Sequence, residues 1–204
     1  MPVATVIGDV VGSRRVEDRG ALHERLTDAL ALVNEHQDPV VPLRITIGDE
    51  FQGAFATLGG ALAATLRLRL LVHPAFDLRH GLGWGSITVL ADEPRVEDGP
   101  GWWSAREAIE SVAGPQLGVR TAYRRAEESG PDPASVNAAL ITRDTLLAAA
   151  SARSWGVLRG LLNGMTQTEI AHREGVSASA VSQRIRRDGL AALVASDELL
   201  RQVG

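Results

Sequence analysis

Two short stretches of the chain hold acids suited to polyphosphate chemistry. Asp9 ends an apolar run that begins at Val3, and Gly48-Asp49-Glu50-Phe51 falls where a β-hairpin turns. Two carboxylates converging at the edge of a small sheet suit divalent cations, which serve polyphosphates by offsetting charge on phosphate oxygens. Taken singly each has a plainer use, since a Gly-Asp pair is ordinary turn chemistry and a lone aspartate can cap a turn. A second constellation lies far downstream. Met165-Thr-Gln-Thr-Glu-Ile-Ala171, followed by Gly175-Val-Ser-Ala-Ser-Ala-Val-Ser-Gln-Arg184, reads as a DNA-binding helix-turn-helix.

The elements that must position the acids follow from apolar spacing. Val3 to Val10 is apolar and β-branched, a buried strand. Arg15 to His36 carries Leu22, Leu26, Leu30 and Val33 on one helical face. Pro39 and Pro42 bracket a turn, and Leu43 to Ile47 alternates like a half-exposed strand. Leu43, Ile45 and Ile47 share a face, as do Phe51, Gly53 and Phe55. A three-residue loop of Gly48, Asp49 and Glu50 points both sets into one core. Thr57 to Val72 repeats Leu58, Leu62, Leu66 and Leu70 as a second helix, on which Arg67 and Arg69 read as solvated surface charges. From Phe76 to Leu90 the chain is strand-like, with Gly81, Gly83 and Gly85 leaving one face bare for a ligand or another backbone. Asp98 is placed to cap a helix carrying Ala105, Ile109 and Val112. Trp102-Trp103 in that helix suits a base-stacking platform, a core plug or a subunit contact. Strand, helix, strand, strand, helix, strand is the ferredoxin-like order, so the expected fold is an α+β βαββαβ sandwich. Its first and third strands are neighbours, which sets Asp9 beside the hairpin tip.

Composition narrows the setting. The 204 residues suit one or two domains, and 45% apolar with 23% charged residues is ordinary for a globular protein. With aromatics at 4%, the core must be built from Ala, Leu, Val and Ile. No cysteine is present, which excludes disulfides and thiolate metal sites. The five histidines have no ligand spacing. The first residues lack a basic flank, and no apolar run is long enough to span a bilayer, so a cytoplasmic protein without membrane contact is expected. All 21 basic residues are arginine, which fits genomic base composition. From Ala152 onward seven arginines face five acids, a balance of +2. The whole chain carries −4, so the preceding part carries −6. Contact with nucleic acid is therefore expected from the tail.

Four stretches together resemble the bacterial SatD family: Gly8-Asp-Val-Val-Gly-Ser-Arg14, Gly48-Asp-Glu-Phe-Gln-Gly53, Arg79-His-Gly-Leu-Gly-Trp-Gly85, and Asp98-Gly-Pro with Ala105-Arg-Glu-Ala108. The resemblance covers about the first 110 residues and continues more weakly into the tail. These motifs are in turn similar to class III nucleotidyl cyclases and GGDEF-type diguanylate cyclases, which share a palm-like version of this sandwich. The resemblance implies that Asp9 and Asp49, with Glu50 beside them, hold Mg²⁺ or Mn²⁺. It implies that Gly12, Ser13, Arg14, Arg79 and Arg106 meet the nucleotide phosphates. Two departures stand out. Cyclases carry an asparagine four residues before the helix arginine, where this chain has Trp102. They also commonly read the purine with a lysine, and here there is none.

The tail has tight local signals. Trp155, Leu158, Leu161 and Leu162 make an apolar helix that stops at Asn163-Gly164. Thr166 and Glu169 form a capping box, Gly175 suits a sharp turn, and Ser177 caps the next helix. Val181 and Ile185 face inward, leaving Ser179, Ser182, Gln183, Arg186 and Arg187 for bases or phosphates. The pattern resembles sigma-factor region four. The expected division is a nucleotide-binding domain over 1–130, a helical connector over 131–151 and a helix-turn-helix domain over 152–204. Between them Gly114-Pro115 and Gly130 to Pro133 are punctuation, and Arg120 to Glu128 reads as a short helix. Three functions follow: a DNA-binding regulator that senses a nucleotide, an active nucleotidyl cyclase or nucleotidyltransferase, or a degenerate palm that only dimerises. A homodimer is expected, because palm-type cyclase domains pair and two readers outbind one.

Overall fold

The computed structural model describes residues 1–112, 118–126, 128 and 130–204. A five-stranded mixed sheet has the order β2-β3-β1-β4-β7. Its strands are β1 (Val3–Val10), β2 (Val41–Ile47), β3 (Glu50–Phe55), β4 (Leu78–Gly85) and β7 (Thr121–Arg125). Helices α1 (Arg19–Gln37) and α2 (Leu58–Val72) make the two ferredoxin-like crossovers. The chain then adds a separate hairpin, β5 (Thr88–Asp92) with β6 (Arg95–Asp98), and helix α3 (Pro100–Ser111), before β7 pairs parallel to β4. As expected, β1 is central and antiparallel to β3.

The two faces of the sheet are covered differently. Ala4, Val6, Val10, Leu82 and Trp84 join the expected stripe of α1 and the Leu58 and Leu62 half of the α2 stripe, together with Val136 and Leu140 of α4 (Pro133–Ala149), in the main core. On the other face Ile7 meets Trp102, Ala105 and Ile109 of α3. The three glycines of β4 serve this contact: a Cβ at Gly81 or Gly83 would lie 2.1 Å from a carbonyl oxygen of α3. Their bare face admits a backbone, not a ligand. Trp102 is the core plug among its three readings, 7% exposed, whereas Trp103 is 57% exposed.

Several local expectations need correction. Arg120 to Glu128 is not a helix. Thr121 and Tyr123 turn inward from an edge strand whose open side is blocked by Asn137, which donates to and accepts from the Tyr123 backbone at 2.9 Å. The hairpin turn is two residues, Gly48 and Asp49, and Glu50 begins β3. A register shift between Ile45 and Ile47 keeps Leu43 buried and leaves Ile47 75% exposed. Pro42 sits in β2, an edge strand that tolerates it. Helix α1 begins at Arg19, capped by Asp18, after a 3₁₀ turn over Ser13–Arg15. Gly99, not Asp98, caps α3; Asp98 accepts hydrogen bonds from Gly99 N and Trp103 Nε1. Gly114-Pro115 lies outside the described residues.

Of the two arginines of α2, Arg67 is half-buried and Arg69 is not solvated at all. Arg69 is 1% exposed and grips Asp77 through two nitrogens and Asp144 through a third. Arg143 and Arg120 close this network, which ties α2, α4 and the starts of β4 and β7. Burial pushes the Asp77 carboxyl up, but the Arg69 charge and hydrogen bonds outweigh it and hold Asp77 below the usual range.

Helices α5 (Ala152–Leu162), α6 (Gln167–Glu174), α7 (Ala178–Arg187) and α8 (Leu190–Leu200) complete the chain. Their apolar faces share a core with Leu66 and Leu70 of α2 and Leu147 of α4. At the far end the Gly59 amide donates to Val203 O at 2.8 Å, docking the C-terminal turn on the start of α2. Among the described residues no helix is long and apolar enough to cross a membrane.

Candidate functional site

Strand alternation places Asp9 on the α3 face, opposite Arg79 in the β1–β4 register. Arg79 donates from Nε and Nη2 to the two Asp9 oxygens at 2.8 and 2.5 Å, a bidentate pair. The hairpin tip is held against the same strand end, because Val10 N donates to Asp49 Oδ2 at 3.1 Å. The other Asp49 oxygen is 4.0 Å from Arg19. Glu50 accepts two hydrogen bonds of 2.7 Å from Arg106 of α3. The Asp9 hydrogen bond, with the charges of Asp9 and Asp49, raises the Arg79 pKa against the effect of burial. Glu50 does the same for Arg106.

These residues surround one cleft of about 470 Å³. Asp9, Asp49, Glu50, Gly12, Ser13, Arg14 and Arg79 all line it, and Arg106 stands behind Glu50 without lining it. Seven expected positions from three stretches of sequence thus converge, because β1 ends, the β2–β3 hairpin turns and β4 begins at the same sheet edge. Reasoning from sequence missed Arg15, whose guanidinium lies 2.8 Å from where a Gly12 Cβ would stand, with Gly12 in the left-handed region at φ 71°. The Arg14-Arg15 doublet was the available signal. Ile47 also lines the cleft, an outcome of the register shift no spacing announces.

The cleft suits a hard cation in donor type, since its acids offer only oxygens. It is not preassembled for one. Both Asp9 oxygens are held by Arg79 and both Glu50 oxygens by Arg106, so only Asp49 presents a loosely held oxygen. Among the described residues no group of three or more acids and histidines is arranged to hold a metal ion. The expectation that residues 9 and 49 grip a cation directly is corrected to that extent: they share a cleft, and internal guanidiniums hold one of them.

In the tail the local expectations hold. Thr166 and Glu169 form the capping box, Gly175 is left-handed at φ 66°, and Ser177 accepts from Ala180 N. Val181 is buried, while Ser179, Gln183, Arg186 and Arg187 are exposed and Ser182 is half-buried. Arg186 donates to Ser182 at 2.8 Å. Arg187 is drawn to Asp188 at 2.6 Å, and hydrogen bonds from Arg187 and Ser154 pull the Asp188 pKa down to about 2.

The mixed sheet of this order with its flanking helices is a palm-like α+β fold, similar to that of nucleotidyl cyclase domains. The fold is matched by a bacterial light-regulated adenylyl cyclase with TM-score 0.50 and 12% identity, over 60% of this chain and 43% of that one. The chain therefore spans less than half of that protein, and the likeness is one of fold. Fainter likenesses include the catalytic core of a rhodopsin-guanylyl cyclase in complex with ATPalphaS (TM-score 0.48, 17% identity, 54% of this chain, 72% of that one). Another is the guanylate cyclase domain of RhGC from Catenaria anguillulae in complex with GTP (TM-score 0.45, 16% identity, the same shares). No curated protein matches the chain. The SatD family model matches residues 3–198, well beyond the first 110, and the chain belongs to the SatD family.

Proposed function

We propose that the protein binds a nucleoside triphosphate together with a divalent cation, as a palm-type domain of the nucleotidyl-transfer class. The supporting observation is the mixed lining of one cleft, with three carboxylates facing Arg14, Arg15 and Arg79. Such a set offers partners to both signs of charge and so suits an anion that arrives with a cation. Asp9 and Asp49, with Glu50 adjacent, would hold Mg²⁺ or Mn²⁺, whose contribution is to offset charge on the phosphate oxygens. Arg14 and Arg15 are exposed at the rim and free to meet phosphate. Arg79 exchanges its carboxylate for phosphate as Asp9 is released, so the number of ion pairs is conserved. Arg106 keeps Glu50 oriented. Trp102 is packed in the core where a cyclase carries its asparagine, so any transfer here relies on guanidiniums for charge relief.

Incubating the protein with each nucleoside triphosphate and Mn²⁺ and measuring pyrophosphate tests the reaction. Transfer predicts pyrophosphate from at least one of them. Binding without pyrophosphate reduces the proposal to a nucleotide sensor, and no binding of any triphosphate removes it.

A second reading adds DNA. It is favoured by the capped α7, which presents Ser179, Gln183 and Arg186 on an exposed face. Pairing of two chains through the exposed Val89, Leu90 and Val96 of the β5–β6 hairpin and Trp103 would give two such readers. Selection of random DNA by the full chain should then enrich a sequence, which Arg186→Ala binds more weakly by about 1–3 kcal/mol. Enrichment of no sequence sets this reading aside.

A further inference from the structure

Two half-buried arginines at the seam between α1, α2 and α5 lack the carboxylate partner that the buried Arg69 and Arg143 have. Arg67 and Arg159 face a common cleft of about 300 Å³, whose walls are otherwise largely leucine: Leu32, Leu70, Leu71 and Leu162. Its remaining polar neighbours are His36 and Asn163, and no carboxylate lines it. The Nε of each arginine is buried and has no hydrogen-bond partner. Arg159 spends Nη2 on the C-terminal carbonyls of α2, Leu70 O at 2.5 Å and His73 O at 3.3 Å, and with Nε buried its Nη1 is the donor left for the cleft.

The nearby acids are already engaged. Asp197 pairs with Arg201 at 2.7 Å and Glu174 with Arg173 at 3.1 Å. Burial lowers the Arg67 pKa, Arg201 lowers it further, and Asp197 only partly restores it. Burial, Arg173 and Arg25 act likewise on Arg159 against Glu174. Two guanidiniums held charged beside further cations, with unspent donors against apolar walls, form a site that gains from an anion.

We propose that this seam cleft binds a small organic anion, a carboxylate or phosphate monoester on an apolar body, with the charged head between Arg67 and Arg159. The volume stands at the lower end of small-molecule sites. The leucine walls favour an aliphatic or aromatic body over ribose and base, whose polar groups would be left without partners. Because Arg67 belongs to α2 and Arg159 to α5, the bound anion joins the sheet's helices to the C-terminal ones and stabilises their contact.

The test uses the full chain in phosphate-free buffer, titrated calorimetrically with octanoate, benzoate, phenyl phosphate and inorganic phosphate, with thermal unfolding alongside. Octanoate, benzoate or phenyl phosphate should bind one per chain and raise Tm, and inorganic phosphate should bind more weakly. The carboxylate and phosphate arms identify the preferred head group. Arg67→Met should weaken that binding about tenfold to a hundredfold, the range for a lost hydrogen bond to a charged group. The same variant without ligand should melt at or above the wild-type temperature, since Arg67 gives up no hydrogen bond to the protein. Leu162→Trp, which fills the apolar end and keeps both arginines, should also abolish octanoate binding. Failure of every probe to bind wild-type protein at millimolar concentration overturns the proposal. So does an Arg67→Met protein that binds them as tightly as wild type.

Discussion

The sheet-edge cleft and the seam cleft both contain arginines, and they prepare them in opposite ways. At the sheet edge Arg79 and the flanking Arg106 each hold a carboxylate in a bidentate grip. At the seam Arg67 and Arg159 face leucine with unspent donors. A ligand of the first cleft must exchange partners, so it needs both signs of charge. A ligand of the second only adds a partner, so one anionic group suffices. The same residue type is thus prepared for partner exchange in one place and for partner addition in the other, which is what the two proposals rest on.

The largest effect expected along this line concerns two arginines on one helix. Arg69 is buried and gives three hydrogen bonds to Asp77 and Asp144, so Arg69→Met leaves buried Asp144 only Arg143 and the Arg120 amide and should cost about 3–5 kcal/mol in urea unfolding. Arg67→Met, two positions away, should cost nothing. Equal losses would mean that Arg67 spends its donors on the protein and is not free for a ligand. At the sheet edge Arg79→Ala should act in two directions at once. With Asp9 released, Mn²⁺ alone should bind about tenfold more tightly than to wild type, while triphosphate binding weakens by a comparable factor. Calorimetry that finds both affinities reduced would rule out the exchange of partners.

A further effect comes from a buried group with no partner. His80 is wholly buried, both ring nitrogens lack hydrogen bonds, and burial with the charges of Arg69 and Arg143 pushes its pKa well below 6.5. The unfolded chain takes up this proton below pH 6.5 and the folded chain does not. Stability from this group is therefore complete above pH 6.5 and falls with acidity by at most about 1.4 kcal/mol per pH unit. His80→Leu should flatten the stability profile between pH 6.5 and 5; an unchanged slope would place the proton elsewhere.

Much of this is legible in the sequence. The apolar stripes of α1 and α2 and the glycine ladder of β4 are local or periodic signals, and they implied the strand order that brings Asp9 to Asp49. The caps of α6 and α7 were legible for the same reason. What escaped depends on distant partners. Arg69 looks like a surface charge until Asp144, 75 residues away, is folded against it. β7 looks helical because its strand character comes from pairing with β4 and from Asn137 covering its edge. The Asp9–Arg79 pair joins two residues that had been assigned separately to metal and phosphate.

The most direct test is titration of the wild-type protein and Asp49→Ala with each nucleoside triphosphate, once with Mn²⁺ and once with a chelator. The sheet-edge account predicts tight binding of at least one nucleotide only when the cation is present, and a loss of about tenfold to a hundredfold in Asp49→Ala. Nucleotide binding that ignores both the cation and residue 49 would contradict it.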